Sequence, residues 1–152
     1  PMSHVATVET VITDLDALKK ACKRCGLEFR ENQQTHRWYG RWMNDYDAEN
    51  AAYHSGITPE DYGKCLHAIG VPGNPSAYEI GVVKNPKGAG YVLVWDFYAG
   101  GRGLMAVAGA DCGNLFESYN VEVSIAEMEA QGFTLEEQVR DGDELELVFV
   151  ER

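Results

Sequence analysis

The sequence predicts a single α+β domain, a mainly antiparallel sheet with helices packed on one face, on three observations. Short stretches rich in β-branched and aromatic residues recur along the chain, as strands do. Two of the gaps between them, Asn85-Pro-Lys-Gly88 and Asp141-Gly142, hold the residues of tight turns that join neighbouring antiparallel strands. Cap and stop residues bracket helical stretches between the strands, giving an order of βαββ-α-ββ-αββ. With 152 residues the chain has the length of one ordinary domain.

Residues 4–12, HVATVETVI, read as the first strand. Thr13 then caps a helix, with Asp14 and Asp16 at its positive end. Leu15, Leu18, Cys22 and Cys25 recur at spacings of three and four and share one face. Lys19, Lys20, Lys23 and Arg24 take the other, and Gly26 supplies the stop. Residues 27–30 begin a second strand, 31–34 a turn, and 36–43 alternate as a third strand, with His36, Trp38 and Trp42 on one side and Arg37, Tyr39 and Arg41 on the other. Thr58, Pro59, Glu60 and Asp61 make a strong helix start, and Gly70 and Pro72 end that helix. Residues 78–84 and 91–98 flank the first turn as a hairpin. A glycine-containing connection runs over 99–111, and a long helix over 113–131 stops at Gly132. Residues 133–140 and 143–150 then frame Asp141-Gly142, with Leu145, Leu147 and Phe149 facing one way and Glu144 and Glu146 the other.

Composition excludes several function classes. The formal charge is −11, which works against direct nucleic-acid binding, since that needs a basic surface. The acid is concentrated: residues 117–152 carry eleven acidic side chains and two basic ones, the pattern of a face that meets a basic partner or of a solvated surface. No apolar run is long enough to span a membrane, and the opening residues show no charged-then-apolar signal stretch; the expectation is a cytoplasmic protein with reduced thiols.

The motifs point to binding more than to chemistry. Cys22-Lys-Arg-Cys25 has CxxC spacing, but it lies late in a helix on the same stripe as Leu15 and Leu18, where packing is expected. Cys65 and His67 lie two apart on the expected helix, pointing in different directions, so no metal site and no cofactor is predicted. The four histidines fall in no recognisable catalytic spacing. Ala99-Gly-Gly-Arg-Gly103 follows a strand and lacks the Gly-Lys-Ser/Thr of a phosphate loop, although Arg102 there has the fork to hold a phosphate or carboxylate. Residues 38–62 hold six of the sixteen aromatic side chains, all Trp or Tyr, interleaved with arginine. That composition suits a stacking pocket or an interface, and it equally suits a small core. Arg37, Tyr39, Arg41, Trp42 and Arg102 are therefore the candidate ligand-binding residues, and no catalytic residue is assigned.

Met2-Ser-His4, the run from Thr7 to Lys20, and Cys25-Gly-Leu27 resemble the start of a small family of hypothetical open reading frames from algal plastids and cyanobacteria, with relatives in tailed phages. Tyr78-Glu-Ile-Gly-Val82 and Tyr91-Val-Leu-Val-Trp-Asp96 resemble its central hairpin. Tyr119-Asn-Val121, Ala130-Gln-Gly-Phe133 and the closing Asp-Gly hairpin resemble its ending. The resemblance covers about two-thirds of the chain. It implies a small α+β fold over 2–152 and carries no catalytic residue with it. Against it, residues 43–76 look like an insertion, and 100–112 depart from the pattern. The leading expectation is a small acidic, non-catalytic binding protein of phage origin that occupies a partner protein, such as a host enzyme or defence factor, or a small ligand. The alternative is an enzyme or sequestering protein for an anionic small molecule such as a nucleotide.

Overall fold

Asp14 opens the first helix, one residue later than the Thr13 cap expected from the sequence. Its carboxylate accepts the Ala17 N–H at 3.0 Å from an extended backbone of φ −129°, ψ 99°. A carboxylate satisfies that amide as a hydroxyl would and adds a negative charge at the positive helix end. The helix that follows, α1 (Leu15–Cys25), buries Ala17, Leu18, Ala21 and Cys22 along one stripe and ends at Gly26, whose left-handed φ of 86° closes the last turn. The computed structural model of the protein describes residues 5–7, 10–38, 61 and 63–152.

Five strands form one antiparallel sheet: β1 (Val5–Thr7), β2 (Glu28–Arg30), β3 (His67–Gly70), β4 (Ile80–Lys84) and β5 (Tyr91–Asp96), in the spatial order β1-β5-β4-β3-β2. The strand expected over 4–12 is thus divided. β1 pairs Val5 with Asp96, while Ile12 makes a separate bridge to Tyr91, donating at 2.7 Å and accepting at 2.8 Å. The β4–β5 hairpin forms as predicted, across Asn85-Pro-Lys-Gly88.

The helix expected to run through to Gly70 is corrected by β3. His67–Gly70 pairs with β2 on one side and β4 on the other, and Ala68 and Ile69 are fully buried. Cap residues contribute about 1 kcal/mol each. Two hydrogen-bonded ladders plus a buried isoleucine outweigh that. Residues 58–60, where the start signal lies, fall outside the described residues. β3 also places the end of the 43–76 segment in the middle of the sheet.

The 99–111 connection, expected to be irregular, contains a helix. Ala99, Gly100, Gly101 and Arg102 take four successive left-handed conformations (φ 53°, 69°, 64° and 54°), and α2 (Leu104–Ala108) follows. α3 (Gly113–Ala130) then packs against α1, and both lie on the sheet. Leu18, Ile69, Ile80, Leu93, Trp95, Leu104 and Leu115 meet in the core, and Trp95 is almost wholly enclosed. Tyr119 of α3 latches α1: its hydroxyl accepts the backbone N–H of Thr13 at 3.0 Å and of Asp14 at 3.2 Å.

The last two strands stand apart from the main sheet. β6 (Phe133–Asp141) and β7 (Glu144–Glu151) form a two-stranded ribbon, with a bulge between Leu135 and Glu137. Asp141 pairs with Glu144, so the two central turn residues are Gly142 and Asp143, one position later than predicted. Gly142 takes the positive φ of 60° that the first central position of such a turn requires.

Candidate functional site

Two regions have the chemistry to hold a partner, and the first is built on the loop that leads into β4. Tyr78 is buried, and its backbone N–H donates to Gly101 O at 2.9 Å. The Arg102 guanidinium lies 5.8 Å from the centre of the Tyr78 ring, a cation–π arrangement. Asn74 Nδ2 donates to Arg102 O at 3.3 Å. Left-handed conformations cost Ala99 and Arg102 about 1–2 kcal/mol each. The carbonyls of Gly101 and Arg102, turned toward residues 74–78, are part of what holds them there.

On the other side of the same loop, Arg37 Nη1 donates to Ala77 O at 2.7 Å, and its backbone N–H donates to Glu79 Oε1 at 2.8 Å. Two of the five predicted residues, Arg37 and Arg102, therefore converge on residues 77–79 from opposite ends. Tyr39, Arg41 and Trp42 lie outside the described residues, as do Tyr46, Tyr53 and Tyr62. Trp38 is half-exposed with its indole against Gly63, and the tryptophan that fills the core is Trp95.

The hub beneath Arg37 is Glu79, which the sequence reading missed. Its carboxylate side chain is 5% exposed; Oε2 accepts from Arg30 Nη1 at 2.5 Å and from Gln33 Nε2 at 3.0 Å. Burial pushes its carboxyl up, but the Gln33 and Arg37 hydrogen bonds and the charges of Arg37 and Arg30 outweigh this, leaving it below the ordinary range. His36 is sealed beside it. Its Nδ1 lies 3.2 Å from Glu79 O and donates to that carbonyl, and burial lowers the ring's pKa to about 4, so the ring is neutral at pH 7. With three donors directed at it, from Arg30, Gln33 and the Arg37 backbone, this carboxylate organises the loop. The available signal was a lone acid in the otherwise apolar run from Tyr78 to Val83.

The thiols are held protonated. Burial pushes Cys22 and Cys65 up to about 12 and raises Cys25 and Cys112 as well. None has the lowered pKa of a reactive cysteine. Cys65 Sγ donates to Gln33 O, and His67 Nδ1 accepts from Asn32 N at 2.9 Å. Among the described residues no three His, Cys, Asp or Glu side chains converge on a point that could hold a metal ion.

The second region is the ribbon and the seam that fastens it. Arg24 of α1 donates through Nε and Nη2 to Glu122 Oε2 at 2.9 and 2.6 Å, and through Nη1 to Gln138 Oε1 at 2.8 Å. Arg140 of β6 forks onto Glu117 of α3. Between these bridges lies a cleft of about 430 Å³, reached by Cys25, Ser118, Val121 and Leu145. Beyond it the surface changes character. The last buried residue of the chain is Val121; none from 122 to 152 is buried. Seven carboxylates between Glu136 and Glu151 are exposed, while the two arginines of the ribbon are committed, Arg140 to Glu117 and Arg152 to the carbonyls of Phe133 and Glu129. Phe133, Leu135, Leu145, Leu147, Val148 and Phe149 are only half-covered, and Val139 and Val150 are exposed. The acid excess was readable in the sequence; that its apolar neighbours would lack cover was not.

Set against known proteins, the chain matches no family model, no curated protein and no solved structure. No helix among the described residues is long and apolar enough to cross a membrane.

Proposed function

We propose that this chain is a non-catalytic binding protein whose acidic C-terminal ribbon, with the adjoining end of α3, docks a basic surface on a protein partner. One observation carries the reading: from residue 122 onward no residue is buried, and one face of the ribbon sets the exposed carboxylates of Glu137, Asp141, Glu144 and Glu146 beside Val139, Val148 and Val150. An interface combines an apolar centre with a charged rim, and the uniform sign of this rim selects a cationic partner and speeds its approach. If the resemblance to plastid, cyanobacterial and phage reading frames reflects descent, the partner is a host enzyme or defence protein whose basic face ordinarily meets nucleic acid. The work is then done in the cytoplasm. The test is affinity capture with the wild type and with a triple variant, Glu136→Lys, Glu144→Lys, Glu146→Lys, followed by reconstitution with the purified partner. Salt-sensitive binding that the variant loses supports the reading. Equal binding by the variant rejects it.

A second reading, capture of an anionic small molecule such as a nucleotide, is favoured by the Arg102–Tyr78 stack at the strained turn. It requires Arg102→Ala to weaken binding in a nucleotide screen by about tenfold, the worth of one charge-assisted contact.

A further inference from the structure

We infer that the outer edge of β7 accepts an extended, lysine- or arginine-bearing segment of the partner as a third strand. This rests on the acidic docking proposed above and names its mode. The alternation of backbone groups along β7 is settled at its end: Arg152 N–H donates inward to Gly132 O at 2.9 Å, and Phe133 faces Glu151. In an antiparallel ladder, inward and outward groups alternate residue by residue. The N–H and C=O of Leu145, Leu147 and Phe149 therefore point away from β6, and among the described residues no backbone or side chain bonds to them. α3 packs on β6, so β7 is the strand left on the open side.

An isolated two-stranded hairpin is marginal in water, and a third strand is what such a ribbon lacks. Strand addition to an exposed edge supplies main-chain hydrogen bonds, with side-chain pairs setting specificity. The charges choose the occupant. A second copy of this chain would set Glu144, Glu146 and Glu151 against an equally acidic ribbon, and like charges across a strand pair are unfavourable. A strand with cations at alternate positions pairs instead with Glu144 and Glu146, which lie on one face, while its small apolar residues meet Leu145 and Leu147 on the other.

The probe is a synthetic ten-residue peptide alternating lysine with valine, compared with the same peptide N-methylated at alternate residues along one edge or along the other. The expected result is protection of the Leu145, Leu147 and Phe149 amides from hydrogen exchange on binding. One N-methylated form should bind roughly tenfold or more weakly and the other normally, because methylation on a single edge removes the donors that the ladder needs. Salt-dependent binding with no new amide protection and no difference between the methylated forms overturns strand addition and leaves the acidic docking reading standing. Protection of the same amides without peptide, together with a doubled mass, assigns the edge to a second copy and overturns the inference. Absence of peptide binding overturns it too, and the triple charge variant then decides the docking reading on its own.

Discussion

β5 and β7 are both rich in β-branched and aromatic residues, and they end in opposite circumstances. In β5, Val92 to Asp96 are all buried, flanked by β1 and β4. In β7, Leu145 and Leu147 alternate with Glu144 and Glu146 before the apolar run Val148-Phe-Val150, and no residue of the strand is fully covered. Part of the difference is visible in the pattern, which shows how many faces each strand can cover, though not that the apolar face of β7 is only half-covered. Tyr91-Val-Leu-Val-Trp95 is a continuous apolar run, the mark of a strand covered on both faces, whereas Glu144-Leu-Glu-Leu147 alternates and keeps one face for water. Stability is therefore concentrated in the five-stranded body, and the ribbon hangs from it by the Arg24 and Arg140 bridges.

Four substitutions or conditions test that contrast. The largest effect belongs to the body. A Cβ on Gly81 would lie 2.6 Å from His36 Cδ2 in a sealed site, so Gly81→Ala should lower the unfolding free energy by about 3 kcal/mol. Denaturant titration measures this, and a loss below about 1 kcal/mol would mean that the His36 ring is free to move aside. Acid acts on the same place. His36 is depressed to about 4 from an ordinary 6.5, so the unfolded chain takes up the proton first, and stability falls as pH drops from 6.5 toward 4. By pH 5 the loss from this group is about 2 kcal/mol. Glu79, held below the ordinary carboxylate range, adds a further loss once pH falls below about 4.5. A His36→Gln variant should show a flatter urea midpoint between pH 7 and 5.

Tyr119→Phe comes next. It removes the acceptor of two backbone N–H groups at the start of α1, for a cost of about 1.5 kcal/mol. Arg24→Met should have the smallest global effect, under about 1 kcal/mol, because ion pairs near solvent contribute little. Its signature is local: faster hydrogen exchange in β6 and β7 with α1 unchanged. Equal acceleration in both would show that ribbon and body unfold as one unit.

Much of this architecture was legible in the amino-acid order, where local chemistry and tertiary packing agree. The α1 stripe and its glycine stop, both hairpins and the long α3 follow directly from periodicity and turn residues. β3 was not legible. Thr58-Pro-Glu-Asp61 announces a helix, while the strand at His67–Gly70 is imposed by β2 and β4, which are distant in sequence. α2 was hidden because glycines at 100, 101, 103 and 109 read as loop, although they serve a left-handed turn and the two ends of a short helix. At the candidate site, arginine marked Arg37 and Arg102 as anchors, but their meeting on residues 77–79 depends on the turn at 99–102. Glu79 drew no notice because a buried carboxylate is unlikely from composition alone and is stable only with the three donors that the fold assembles around it.

The turn from Ala99 to Arg102 has one more consequence. Its dihedrals are those that mirror-image amino acids prefer, so in a chain assembled by chemical ligation a D-alanine at Gly100 should carry no backbone strain. An L side chain at Gly100 would find room but bear the left-handed cost that Ala99 and Arg102 already carry, about 1–2 kcal/mol, so the turn weights its sequence toward glycine without excluding other residues.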